Sequence, residues 1–105
     1  MEFGGSALDP QEGINIANAL GQHKAVILRG HGLLTVSKTP DGAAFLFGAL
    51  DRVCEAQLLA DAAGKTLEVD VAAAEFTRKV YNDELEYITF QPAFVLPIHE
   101  CRQRR

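Results

Sequence analysis

From Asp9 onward the apolar positions Ile14, Ala17 and Leu20 recur at helical spacing, and the flanking residues supply the ends of a helix. Asp9 can cap it, Pro10 suits the first helical position, and Glu12 adds negative charge to the first turn, where the helix dipole favours it. Gly21 is expected to close the helix in the left-handed conformation. The rhythm then changes. Ala25 to Leu28 is a continuous apolar run of the kind that forms a strand covered on both faces, and a second β-favouring run from Leu33 to Val36 comes after Gly30-His31-Gly32. Two glycines permit the positive φ angles that a tight strand connection needs, so the spacing predicts a central hairpin with His31 in its turn.

Thr39 and Pro40 open the longest helical pattern, and Gly64 stops it. Its polar positions are Asp41, Gly48, Asp51, Arg52, Glu55 and Asp61, while Phe45, Leu46, Phe47, Leu50, Val53, Leu58 and Leu59 spread over most of the circumference. Such a helix is expected to be mostly buried. Each large side chain contributes roughly 1.5–3 kcal/mol when covered, against a typical domain stability of about 5–15 kcal/mol. The cover available is the first helix, the hairpin and a later helical segment from Asp70 through Phe76 and Val80 towards Leu85 and Ile88. A two-stranded sheet is marginal by itself, so the chain alone is expected to aggregate, unfold partly or associate.

Composition narrows the class. At 105 residues, 48% hydrophobic and 23% charged, the chain has ordinary globular values and room for one domain. Its net charge of −4 argues against a nucleic-acid partner, and Arg102, Arg104 and Arg105 are expected to form a solvated tail. Turn signals at Gly21, Gly30 to Gly32, Thr39-Pro40, Gly64 and Gln91-Pro92 separate elements of one domain rather than domains. The division expected is a domain over 1–92 and a C-terminal tail over 93–105. No stretch has the ~20 uncharged apolar residues of a membrane helix, and no signal-peptide pattern opens the chain, so a soluble protein without membrane contact is expected. With two cysteines, a reducing, cytoplasmic compartment and no disulfide are expected.

Few side chains carry candidate chemistry. His31, projected from a hairpin between two glycines, suits either a metal ligand or a solvated turn residue. Cys54 falls in an apolar helical pattern that raises a thiol's pKa, which disfavours a nucleophile. His99-Glu100-Cys101 contains ligand types at a spacing too close for a usual metal site and belongs to the expected tail. Arg29, at a strand end beside the turn, is expected to be solvated, with an anionic substrate as the alternative.

The run Lys24-Ala-Val-Ile-Leu-Arg-Gly-His-Gly-Leu-Leu-Thr-Val-Ser-Lys-Thr39, followed by Gly42-Ala-Ala-Phe-Leu-Phe-Gly-Ala-Leu50 and Val53-Cys-Glu-Ala-Gln-Leu58, resembles the C-terminal half of the class II aldolase/adducin domain. With Phe3-Gly-Gly and the first helix, the similarity covers about residues 3 to 90. The resemblance implies a three-layer α/β/α fold with a mixed, largely antiparallel sheet, here partial: a central hairpin with flanking helices. It also implies a zinc ion held by three histidines, a His-x-His pair in the first half of the domain and one from the hairpin, with a glutamate acid/base in that first half. His31 matches the hairpin ligand. His23 and His99 do not form a His-x-His pair, and Gly30 stands where the family usually has asparagine, which removes a side chain able to hydrogen-bond beside the metal.

The same resemblance implies a fragment related to zinc-dependent aldolases or epimerases acting on small hydroxylated substrates, inactive alone, and homo-oligomeric or joined to a missing N-terminal half. The alternative is an adducin-like, non-catalytic domain of the actin cytoskeleton, and a third reading is a truncated product with neither role. Cys54-Glu55-Ala56-Gln57 occurs in both branches of the family and does not discriminate between them.

Overall fold

The computed structural model describes residues 9–103, with side chains described over 9–93. Phe3-Gly-Gly, His99, Cys101 and the arginines at 102, 104 and 105 lie outside the described side chains. The order is helix α1 (Pro10–Leu20), strands β1 (Ala25–Leu28) and β2 (Gly32–Thr35), then helices α2 (Pro40–Ala63), α3 (Val71–Val80) and α4 (Asp83–Gln103).

The helix ends obey the sequence signals. The Asp9 carboxylate accepts from Gln11 N–H at 2.9 Å, and the Thr39 hydroxyl accepts from Gly42 N–H at 3.0 Å, each satisfying a donor that the first turn leaves unpaired. Gly21 closes α1 with a positive φ of 53° and donates to Ala17 C=O at 2.9 Å, but its ψ of −124° lies outside the left-handed helical region. Gly64 N–H donates to Ala60 C=O at the end of α2.

β1 and β2 pair antiparallel, with Ala25 opposite Thr35 and Leu28 opposite Gly32. Val36 N–H donates to Lys24 C=O at 2.8 Å and extends the ladder below the strands. The hairpin packs on α2 through β2, and there the Thr35 hydroxyl donates to Ala43 C=O at 2.8 Å. Gly42 is buried at this junction. A Cβ on it would lie 2.5 Å from Ser37 Oγ, so only glycine allows the helix start and the strand end to approach this closely.

The structure departs from the sequence pattern in the following places. The segment after Asp70 is two helices rather than one. α3 ends where Tyr81 N–H bonds Thr77 C=O, and Asn82 then caps α4 by accepting from Leu85 N–H at 3.0 Å. The backbone of α4 continues through Pro92 and Pro97 to Gln103. Most consequentially, α2 is not mostly buried: Val53, Leu58 and Leu59 are 63%, 70% and 66% exposed, because α4 and β2 reach only part of its circumference. Ile27 on β1 is likewise 55% exposed, so the hairpin is not covered on both faces. Leu28 is the one buried large apolar side chain among the described residues.

By sedimentation velocity the isolated chain should run larger than a monomer, with the excess reduced by Leu58→Lys plus Leu59→Lys; a monomer that melts cooperatively would contradict the uncovered-face account. Gly42→Ala should lower the urea midpoint by an amount equivalent to about 1–3 kcal/mol, since Ser37 must be displaced.

Candidate functional site

The hairpin turn is built by its backbone. Leu28 C=O accepts from His31 N–H at 3.0 Å, closing a four-residue turn whose third residue, Gly30, has φ of 70°. This is a conformation that glycine and asparagine adopt more readily than other residues. An asparagine at this position, as the resemblance would have it, could keep the same turn geometry and would add a side-chain amide. His31 is exposed, and Arg29 beside it is exposed as well.

The other ligand-type residues lie elsewhere. His23 precedes β1 and is exposed, so the whole of β1, roughly 13 Å of strand, separates it from His31. One metal cannot bind both, since Zn–N distances are about 2.1 Å. Cys54 is a half-buried free thiol on α2. Among the described residues no three His, Cys, Asp or Glu side chains come together as a metal site. These residues thus do not fit a zinc centre by themselves, and at most His31 would contribute to one.

A polar cluster that sequence reasoning missed lies at the opposite end of the hairpin. Lys24 Nζ donates to Asp83 Oδ1 at 2.8 Å and to Glu86 Oε1 at 2.7 Å. Ser37 Oγ donates to Glu86 Oε2 at 3.0 Å, and Lys38 Nζ stands 3.0 Å from Asp83 Oδ2. Glu86 is fully buried, and both its oxygens are satisfied. Burial works against the Lys24 ammonium, but the hydrogen bonds and charges of Asp83 and Glu86 outweigh it and raise the pKa. The Asp83 carboxyl is held below the usual range, first by its hydrogen bond to Lys24 and then by that to Lys38. Lys24, Asp83 and Glu86, with Gln22, His23, Arg78 and Asn82, line a cleft of about 490 Å³. Two carboxylates against two lysines leave the cluster balanced, and its bonds are spent on joining the hairpin base to α4. The only sequence signal was the i, i+3 spacing of Asp83 and Glu86, because Lys24 is some sixty residues away.

The chain belongs to a known family: residues 2–58, just over half of it, match the Class II Aldolase and Adducin N-terminal domain. Among solved structures it is similar to L-fuculose 1-phosphate aldolase from Glaciozyma antarctica PI12, at 44% identity and a TM-score of 0.78 over 84% of this chain and 36% of that one. It therefore carries part of the class II aldolase fold. It is 44% identical to Decarboxylase NovR of Streptomyces niveus, over 99% of this chain and 37% of the relative. It is 39% identical to the 4-hydroxy-3-prenylphenylpyruvate oxygenase/4-hydroxy-3-prenylbenzoate synthase of Streptomyces roseochromogenus subsp. oscitans, over 99% of this chain and 36% of that protein. The chain thus spans little more than a third of the length of these relatives. No helix among the described residues is long and apolar enough to cross a membrane.

Removing the buried carboxylate tests the cluster. Glu86→Ala leaves Lys24 and Ser37 facing a void and should destabilise the chain by about 2 kcal/mol, the figure being held down by the 41% exposure of the Lys24 side chain. Asp83, whose pKa is lowered on folding, contributes stability that is fully present at neutral pH and is lost as pH falls below the usual aspartate range. Lys24, whose pKa is raised, contributes below the usual lysine range and loses that contribution in strong alkali. Urea midpoints of wild type and Asp83→Asn should accordingly differ at pH 7 and converge in acid.

Proposed function

We propose that this chain is the hairpin-bearing part, the C-terminal half, of a class II aldolase-type catalytic domain, and that His31 is its one metal ligand. The observation that supports this is a histidine held by a closed turn between two glycines, in a chain 44% identical to a solved aldolase. The remaining ligands and the acid/base are contributed from outside these residues, by further polypeptide or by another copy in a homo-oligomer. The 105 residues alone are inactive. A zinc ion at such a site would supply a Lewis acid for charge that develops on a substrate oxygen. The part played by this chain is to hold the His31 imidazole on a rigid strand pair.

The substrate class is a small hydroxylated or oxo acid or sugar phosphate, handled in the cytoplasm. One relative's name specifies a sugar phosphate and another a prenylated aromatic oxo acid. Aldol cleavage and loss of carbon dioxide from a carboxylate beside a carbonyl share one demand, stabilisation of negative charge as a carbon–carbon bond breaks. The second reading is an adducin-like assembly role at the actin cytoskeleton, which shares the matched domain named for both aldolases and adducin.

The test is a chimera in which this chain replaces its matched segment of L-fuculose 1-phosphate aldolase. The chimera should bind zinc stoichiometrically and cleave L-fuculose 1-phosphate, and His31→Ala should weaken zinc binding by at least about tenfold. Undiminished zinc binding without His31 would sink the ligand assignment. A folded chimera that binds no zinc would turn the reading to the assembly role.

A further inference from the structure

Between α2, α3 and α4 runs an open groove of about 820 Å³, within the range of small-molecule sites. Its walls include Phe45, Leu50 and Val53 of α2 and Leu85 of α4, and the charged residues lining it are Arg52 from α2 and Arg78 from α3. Among the described residues no carboxylate lines the groove. The acids at the hairpin base are engaged by Lys24, Lys38 and Ser37, and neither arginine forms an ion pair among the described residues. Two arginines from two helices, both always charged, thus line one apolar trough in a chain whose net charge is −4, and Arg78 also borders the cleft at the hairpin base.

We infer that this groove binds a small apolar carboxylate, its hydrocarbon or aromatic body along Phe45, Leu50, Val53 and Leu85 and its carboxylate between Arg52 and Arg78. The charge pattern sets the ligand class: a neutral apolar molecule would leave the guanidiniums unused, and a cation would be repelled. A carboxylate receives the bidentate hydrogen bonds that guanidinium geometry offers. The groove adjoins Ala25 at the hairpin base, at the far end of β1 from His31, so it is distinct from the proposed metal ligand and does not depend on it.

α3 makes the groove adjustable. Every residue of α3 is exposed, it packs only slightly on the other elements, and its C-terminal end is held where Tyr81 stacks on Phe45 with ring centres 6.2 Å apart. A ligand that reaches Arg78 would bridge α3 to α2 and restrain it.

The experiment is isothermal titration of the full chain with dodecanoate, with dodecanol and dodecyltrimethylammonium as matched controls, all below their micellar concentrations. Dodecanoate should bind saturably at one site per chain, about tenfold or more tighter than dodecanol, and the ammonium should not bind. Arg52→Gln and Arg78→Gln, both at exposed positions, should each weaken dodecanoate severalfold and leave dodecanol unchanged. Backbone amides of α3 should exchange more slowly in its presence. Equal affinity for dodecanoate and dodecanol, indifference to the double Arg→Gln variant, or binding that never saturates would overturn the inference, the last showing only a surface awaiting a polypeptide.

Discussion

The carboxylate of Glu86 is the point on which the arrangement of the described residues turns. It is fully buried, and it is reached by Lys24 from the chain entering β1 and by Ser37 from the chain leaving β2. Both strands of the hairpin are thus anchored to one side chain on the first turn of α4. Few other contacts could do this, since Leu28 is the one buried large apolar residue among those described and apolar burial cannot fix the hairpin's position alone. A buried acid without partners would be strongly destabilising, so the two ends of the hairpin and the start of α4 are required to arrive together. Asp83 reinforces the junction by engaging Lys24 and Lys38, and Gln91 extends it by donating to Asp41 at the start of α2 at 2.8 Å.

This anchoring bears on His31 because the hairpin is short. Four paired residues on each side transmit the fixed position of the base to the turn, and the bond from His31 N–H to Leu28 C=O sets the direction in which the chain reverses. Positive φ at Gly30 is what the reversal requires, a conformation open to glycine and asparagine but strained for a β-branched residue. The electrostatic cluster and the candidate ligand therefore occupy opposite ends of one hairpin: the first ties its base to α4, and the second sits in its turn.

Local structure was legible in the sequence wherever a single segment specifies it. Asp9-Pro10, Thr39-Pro40 and Gly64 mark helix ends through capping and backbone preference, and the two apolar runs about His31 mark the hairpin, because these effects act over a few residues. The break at Tyr81-Asn82 was missed, since Asn82 is a cap whose signal is submerged in an apolar pattern that continues on both sides. The ionic junction was missed for a different reason: Lys24 and Glu86 are far apart in sequence, and no periodicity connects them. His31 stood out only because glycines frame it, and the family membership, not the spacing, gives it a role to be tested.

The expectation of a buried α2 failed in an instructive way. Its apolar circumference is real, but burial depends on the neighbours that fold against it, and here α4 and β2 leave Val53, Leu58 and Leu59 in contact with water. Among the described residues no set of three metal ligands gathers about His31 either. This chain spans little more than a third of the length of the relatives it matches. A metal-binding histidine needs converging ligands, and an apolar helix needs a converging surface. Polypeptide that covered the exposed face of α2 would lie near the hairpin that packs on the same helix, so covering the core and completing the proposed metal site would be linked through hydrophobic burial.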